Sequence, residues 1–387
     1  SAPQLSDLPN GPGSTLACLV LAALLVEDAR GRYVLLVIGP SEHQTGLHVE
    51  VAGLPVVTAQ AVHAELDDLR SRLNVYRGQL LDVSASPIGI TLSFAELPHT
   101  ARSDVVLPDL VLSRIERHAL GVSTHRSALL EAGQHLKRGL LLYGPPGTGK
   151  THTTRYLVGQ MTGYTRLMLT GRALHAIGSV AELARELEPA VIVLEDVDLV
   201  AEDRGFSHGS SPVLFELLDA MDGAAADADL LFVLTTNRAD LLEPALAARP
   251  GRVDVAVEID LPDGPARRRL FDLYARDVPL RLTDAEVEEV VERTEGVTAS
   301  FLKELIRRAV LESLHEQTPL STVTGSQTRR ALDDLLDSNQ QVTRSLLGVG
   351  NDPTSLPPGG GLGPPPGLSG RGWLTVGQPH ERPYWRR

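Results

Sequence analysis

Eight residues constrain this chain more than any others. Positions 144–151 read Gly-Pro-Pro-Gly-Thr-Gly-Lys-Thr, directly after an apolar run, Gly139 to Tyr143, and directly before a stretch with helical character. Glycines in such a loop let successive backbone N–H groups turn inward around phosphate oxygens. The N-terminus of the following helix adds the positive end of its dipole. The lysine of this pattern reaches the β- and γ-phosphates, and the hydroxyl after it is a ligand for Mg2+. Gly144, Pro145, Pro146, Gly147, Thr148, Gly149, Lys150 and Thr151 are therefore candidate nucleotide-binding residues, with His152 beside them. Thr151 is also a candidate metal ligand.

A second apolar run, Val191 to Leu194, ends in Glu195-Asp196, with Asp198 close behind. Alone, an acidic pair after a strand reads equally well as a solvated strand end. Downstream of a phosphate loop it gains a purpose: one acid holds Mg2+ or its water shell, and the next orients and polarises the water that attacks.

Further apolar runs at 165–170, 230–236 and 253–259 are separated by helix-length segments. Buried strands alternating with helices predict a parallel sheet covered on both faces. Residues 264–338 carry helical patterns without strands. The predicted fold class is α/β: a phosphate-loop parallel sheet with helices on both faces, then a small all-α lid, preceded by a small α/β N-terminal domain. The boundaries read as a disordered 1–13, an N-terminal domain 14–103, a nucleotide-binding domain 104–262, a lid 263–338 and a disordered tail 339–387. In the N-terminal domain, Arg32 to Ile38 and Gly89 to Phe94 look like strands and Ala59 to Arg77 looks helical. The last 37 residues hold sixteen Gly plus Pro, which cannot bury enough surface to offset chain entropy. The alternative for that tail is a docking motif around Trp373 or Tyr384-Trp385.

Composition closes off other classes. A net charge of -13 argues against a broad nucleic-acid surface, since phosphate backbones need clustered Lys and Arg. The single cysteine, Cys18, excludes an internal disulfide and a cysteine-based zinc site, and fits a reducing cytoplasm. The longest apolar run, Leu16 to Val26, falls well short of the roughly 20 residues of a membrane span. No basic stretch precedes it, so no secretory signal is expected, and it reads as a strand or helix of the N-terminal domain. No His-Glu-x-x-His zinc pattern occurs; His315-Glu316 has Pro319 where the second His belongs. The three lysines against a large excess of Arg hint at a bacterial source.

On these motifs the sequence resembles the AAA family of ATPases, over roughly residues 104–315, and within it single-AAA-domain bacterial proteins. The resemblance is carried by Gly144 to Thr151, Val191 to Asp198, Leu217 to Gly223, Leu234 to Arg238, Glu243 to Leu246 and Arg249 to Asp254. The last two stretches look like the second region of homology that separates this family from other phosphate-loop proteins. What the resemblance implies is specific. Glu195 takes the Mg2+-side position and Asp196 the water-activating one, with Asn237 helping to place the water. Arg249 and Arg252 take the position of arginine fingers that reach a neighbour's γ-phosphate, which implies an oligomer, by family habit a homo-hexamer. Asp104 to Pro108 matches the adenine-contacting linker, and Ala299 and Ser300 match the lid position that touches nucleotide. ATP and Mg2+ are the implied cofactors. The implied activity is ATP hydrolysis coupled, in a cytoplasmic ring, to chaperone-like remodelling of a protein client held by the N-terminal domain. The alternative is a nucleotide-controlled scaffold with slow hydrolysis.

Three departures accompany the resemblance. The acids run Glu195 then Asp196, the reverse of the usual order. The segment expected to form a central pore loop, His175-Ala176-Ile177-Gly178, lacks the aromatic residue that grips a threaded polypeptide. Val255 stands after Asp254, where many relatives carry another Arg.

Overall fold

The computed structural model describes residues 3–39, 46–86, 89–198, 216–217, 219–221, 228–240, 253–316 and 322–337. The phosphate loop leaves strand β7 (Arg138–Tyr143) and enters helix α4 (Lys150–Gln160). β7 lies between β11 (Val255–Glu258) and β10 (Leu230–Thr236), and β10 is followed outward by β9 (Ala190–Leu194) and β8 (Thr165–Leu169). These five strands are parallel. Two more, β5 (Leu80–Ser86) and β6 (Gly89–Phe94), extend the sheet to seven strands, β5 parallel to β8 and β6 antiparallel to β5.

Side chains alternate between the two faces, and both faces are covered. Leu140 and Leu142 of β7, Val191 and Val193 of β9, and Leu231 and Val233 of β10 pack against α4 and α2 (Asp109–Thr124). Leu141, Ile192, Leu194, Phe232 and Leu234 face the other way, against α5 (Ile177–Glu186) and Leu217 and Met221. A strand buried on both faces must be apolar throughout, which is why these runs read as continuous hydrophobic stretches. α3 (Arg126–Glu131) links α2 to β7.

At the opposite edge from the phosphate loop, the sheet buries the Arg138–Asp229 ion pair. Arg138, 3% exposed, donates to Asp229, 0% exposed, at 3.0 Å. The Tyr164 hydroxyl donates to the same carboxylate at 2.9 Å, and Arg138 also donates to the Leu136 and Ala119 carbonyls.

The N-terminal segment forms a second sheet. β1 (Gln4–Gly11), β2 (Ser14–Asp28), β3 (Gly31–Ile38) and β4 (His48–Ala52) pair in chain order as an antiparallel meander, with α1 (Val56–Arg72) after them. Two expectations change here. The stretch expected to lack structure before residue 14 is strand β1 from Gln4 onward, because it completes the backbone hydrogen bonding of β2. The expected boundary at 103/104 also moves: β5 and β6 belong to the central sheet, since β5 supplies the pairing partner of β8. The Leu16–Val26 run, open between strand and helix, is the body of β2.

The lid comprises α6 (Gly264–Ala275), α7 (Asp284–Arg293), α8 (Ala299–His315) and α9 (Gly325–Leu336), packed around Leu270, Phe271, Phe301, Leu305 and Leu332. It is not purely helical, since two-residue strands β12 (Leu280–Arg281) and β13 (Val323–Thr324) pair parallel. The described residues belong to one compact unit, residues 1–350. No helix among them is long and apolar enough to cross a membrane. The tail expected to be disordered, with Trp373, Tyr384 and Trp385, lies outside the described residues.

Replacing Asp229 by Ala would leave a buried guanidinium without its counter-charge. A destabilisation of about 3–5 kcal/mol is expected in urea denaturation; a loss under 1 kcal/mol would mean the pair is not buried as described.

Candidate functional site

The parallel register brings three strand ends to one edge. Thr236 of β10 pairs with Tyr143 of β7, and Leu234 pairs with Leu194 of β9. The phosphate loop, the Glu195-Asp196 pair and Asn237 therefore emerge side by side. In open parallel sheets this carboxyl edge is where ligands bind.

A cleft of about 520 Å³ opens there. Its wall includes Pro146 to Thr151, Asp196 and Asn237 from the sheet domain, and Ala299, Ser300 and Lys303 from the lid. Asp104 to Leu107 of the expected adenine linker also line it, as do Arg155 and Tyr274, which the sequence did not single out.

Local conformation explains the loop. Gly144 has φ 138°, and a Cβ there would collide with the Ile259 carbonyl at the end of β11. Gly147 has φ 77°, and its Cβ would press within 2.9 Å of the Ser300 hydroxyl. The Gly147 carbonyl accepts the Ser300 backbone N–H at 3.1 Å, so the first turn of α8 docks on the loop itself. A second tie joins lid to linker: Arg276, at the end of α6, donates to Asp104 at 3.0 Å and holds its carboxyl below the usual range. His152, at the cleft wall, approaches the Asp104 carbonyl with Nε2 at 3.2 Å and is not a core packing residue.

Lys150 is 5% exposed, and its Nζ donates to the Gly144 and Pro145 carbonyls, each at 2.8 Å. Burial depresses its pKa to about 8, against the opposing pull of Asp196 and Asp198. Its charge is therefore underused until phosphate oxygens arrive.

The two acids differ. Burial raises the Glu195 pKa, the Asp196 charge pushes the same way, and Arg155 and a hydrogen bond from Thr151 oppose it. Glu195 Oε1 is buried with no hydrogen-bond partner. An orphaned carboxylate oxygen beside a threonine hydroxyl is costly in a protein interior, and a hard divalent cation suits such oxygen ligands. The residues present fit Mg2+.

Asp196 has φ 51°, the only positive value at a non-glycine among the described residues. Asp tolerates this left-handed region better than longer side chains, which gives the Glu-then-Asp order a local rationale. Its backbone N–H donates to Thr235 Oγ1 at 3.0 Å, tying the turn to β10. Burial raises its pKa, the neighbouring Asp198 charge adds to that, and Lys150 and Asn237 oppose it. Asn237 Nδ2 lies 3.5 Å from Asp196 Oδ1.

Two expectations remain outside this geometry or are changed by it. Arg249 and Arg252 lie outside the described residues. Ile177, expected in a pore loop, is 0% exposed and packs in the core at the start of α5, while His175 and Gly178 are exposed. The reason is geometric: the first turn of α5 must cover Leu174 and the sheet, so a change at Ile177 is a packing change and not a pore-loop probe.

A phosphate-loop α/β domain with a helical lid and paired acids at the carboxyl edge is a nucleotide-binding module. Residues 140–261 match the family model described as "ATPase family associated with various cellular activities (AAA)". Over these residues the chain carries an AAA-type ATPase module. Among its relatives is the "ATP-dependent zinc metalloprotease FtsH 3" of Symbiobacterium thermophilum, 33% identical over 200 residues, covering 48% of this chain and 32% of that protein. The "Cell division cycle protein 48 homolog" of Archaeoglobus fulgidus is 31% identical over 205 residues, 50% of this chain and 28% of that one. The "ATPase family gene 2 protein" of Schizosaccharomyces pombe is 28% identical over 261 residues, 65% and 32% respectively. The chain thus spans about a third of the length of these curated relatives.

The Lys150 environment predicts a pH dependence. Below pH about 8 the amine is already charged, and ATP binds without proton uptake. Above it, binding must protonate the lysine, so affinity falls by up to about tenfold per pH unit. Titration of Mg-ATP binding from pH 6.5 to 9.5 checks this; an affinity flat across that interval contradicts it.

Proposed function

We propose that this chain hydrolyses Mg-ATP in an oligomeric ring and uses the cycle to remodel a protein client. The observation that carries the reading is the convergence of Lys150, Thr151, Asp196 and Asn237 on one cleft, together with the unpartnered Glu195 Oε1 of the residue before Asp196. Thr151 and Glu195 would hold Mg2+, which when bound neutralises charge on the phosphate oxygens. Lys150 would move from its loop carbonyls onto the β- and γ-phosphates. Asp196 would accept a proton from the attacking water as the new P–O bond forms. The bond to the bridging oxygen then breaks, and its electron pair leaves on ADP. Ala299 and Ser300 would carry the change in the phosphates into the lid, through the Ser300–Gly147 hydrogen bond. Arg249 and Arg252, proposed from the motif alone, would complete the site of a neighbouring subunit, and family habit suggests a homo-hexamer.

The N-terminal sheet is the proposed client-binding element. Leu25 pairs with Val34 and Leu21 with Ile38 on one face, and Leu21, Leu25 and Val34 are exposed. The client itself is identified only as protein.

The reversed acid order favours a second reading, a nucleotide-gated scaffold, because Asp is one methylene shorter than Glu and sets the water further from its base. Turnover decides between the two. ATPase activity per subunit is expected to rise with protein concentration, and both Arg249→Ala and Asp196→Asn should reduce it at least about 10²-fold. A wild type that binds ATP yet turns over no faster than Asp196→Asn at any concentration would remove the hydrolytic reading and leave the scaffold.

A further inference from the structure

Behind the acid pair sits a third carboxylate that the proposed chemistry leaves unused. Asp198 is 5% exposed. Its Oδ1 accepts from the Thr236 hydroxyl at 2.9 Å and from the Asn237 backbone N–H at 3.1 Å. Its Oδ2 lies 3.5 Å from Asn237 Nδ2. The Thr236 hydroxyl oxygen in turn accepts the Arg238 N–H at 2.9 Å, so the chain from 236 to 238 is tied to this one buried acid.

These contacts decide which way round the Asn237 amide sits. Its nitrogen is 3.5 Å from both Asp196 Oδ1 and Asp198 Oδ2. Both distances are at the long limit of a hydrogen bond, so charge selects the orientation. Carboxylate oxygens accept hydrogen bonds. The amide nitrogen must face them, because the flipped amide would set its oxygen against two anionic oxygens in a poorly solvated site. The amide oxygen is then directed away from the acids, on a residue that lines the cleft.

We propose that Asp198 is a positioning residue for hydrolysis: it locks the Asn237 amide so that Oδ1, an acceptor, meets the attacking water. Resting on the ATPase reading, this assigns the water two acceptors, Asn237 Oδ1 and the Asp196 carboxylate. One O–H goes to each, and a lone pair is left for phosphorus. The proton on the Asp196 side passes to that carboxylate as the P–O bond forms and the bond to ADP breaks. Asp198 touches neither water nor nucleotide.

The test uses the full chain with Mg-ATP. Asp198→Asn keeps an acceptor for the Thr236 hydroxyl and the Asn237 N–H, which share Oδ1, but puts a donor where Oδ2 faced the Asn237 nitrogen. The Asn237 nitrogen then meets a donor in place of Oδ2, so the amide should turn or shift off Asp196 and misplace its Oδ1 for the water. The expected result is a kcat about 10²-fold lower, the cost of a misplaced reactant, with KM for ATP within about twofold and an unchanged melting midpoint. In an Asn237→Ala background the same change should cost nothing further, because Asp198 acts only through that side chain. The exchange pair Asp198→Asn with Asn237→Asp restores donor facing acceptor, and should recover at least about tenfold over Asn237→Asp alone. It also serves where the single variant folds poorly.

An unchanged kcat in Asp198→Asn, a loss that multiplies on Asn237→Ala, or an exchange pair with no recovery overturns the assignment while leaving the ATPase reading intact. A wild type without turnover removes that reading and this assignment with it.

Discussion

Parallel register across three adjacent strands is the constraint from which the site follows. β9, β10 and β7 end within one layer because Leu194 lies opposite Leu234 and Thr236 opposite Tyr143. A slip of one residue would turn every alternating side chain to the wrong face, exchanging the set packed on α5 for the set packed on α2 and α4. The core therefore fixes the register, and the register places a phosphate cradle, two acids and an amide within reach of one another. The buried Arg138–Asp229 pair works at the far end of the same strands, where a mismatched approach of β10 to β7 would strand a charge.

Polar groups at the edge are arranged so that each is short of something. Lys150 is buried and paired only to carbonyls, Glu195 has an orphaned oxygen, and Asp196 holds a left-handed backbone beside a second carboxylate. Each shortage raises the energy of the protein alone and would be relieved by a magnesium-bound polyphosphate. That is how a binding site stores preference without added contact area. The lid shares in this. Ser300 is bonded to the Gly147 carbonyl, so a shift of the loop would pass to α8 directly, while Arg276 ties the end of α6 to Asp104 of the linker.

Much of this could be read before any coordinates. The phosphate loop is legible because eight adjacent residues must satisfy one local geometry, and β7, β9 and β10 because a strand covered on both faces reads as a nearly continuous apolar run. The N-terminal boundary was not legible, since β5 and β6 are ordinary alternating strands. Which sheet they join depends on the exposed edge of β8, a partner far along the chain. Leu16 to Val26 fits strand and helix equally, and only its pairing with β1 and β3 decides. Ile177 looked like a loop residue because a motif position says nothing about burial. The role of Asp198 was hidden because its partners are Thr236 and Asn237, at the end of a strand that sequence spacing does not bring near it.

The proposed chemistry divides labour between adjacent acids, Glu195 for the metal and Asp196 for the water. Isothermal titration of ATP with and without Mg2+ tests it most directly, on wild type, Glu195→Gln and Asp196→Asn. The division predicts that Mg2+ tightens ATP binding in wild type and in Asp196→Asn, and that Glu195→Gln loses most of that gain. If Glu195→Gln keeps the gain and Asp196→Asn loses it, the roles are reversed and the proposed division is contradicted.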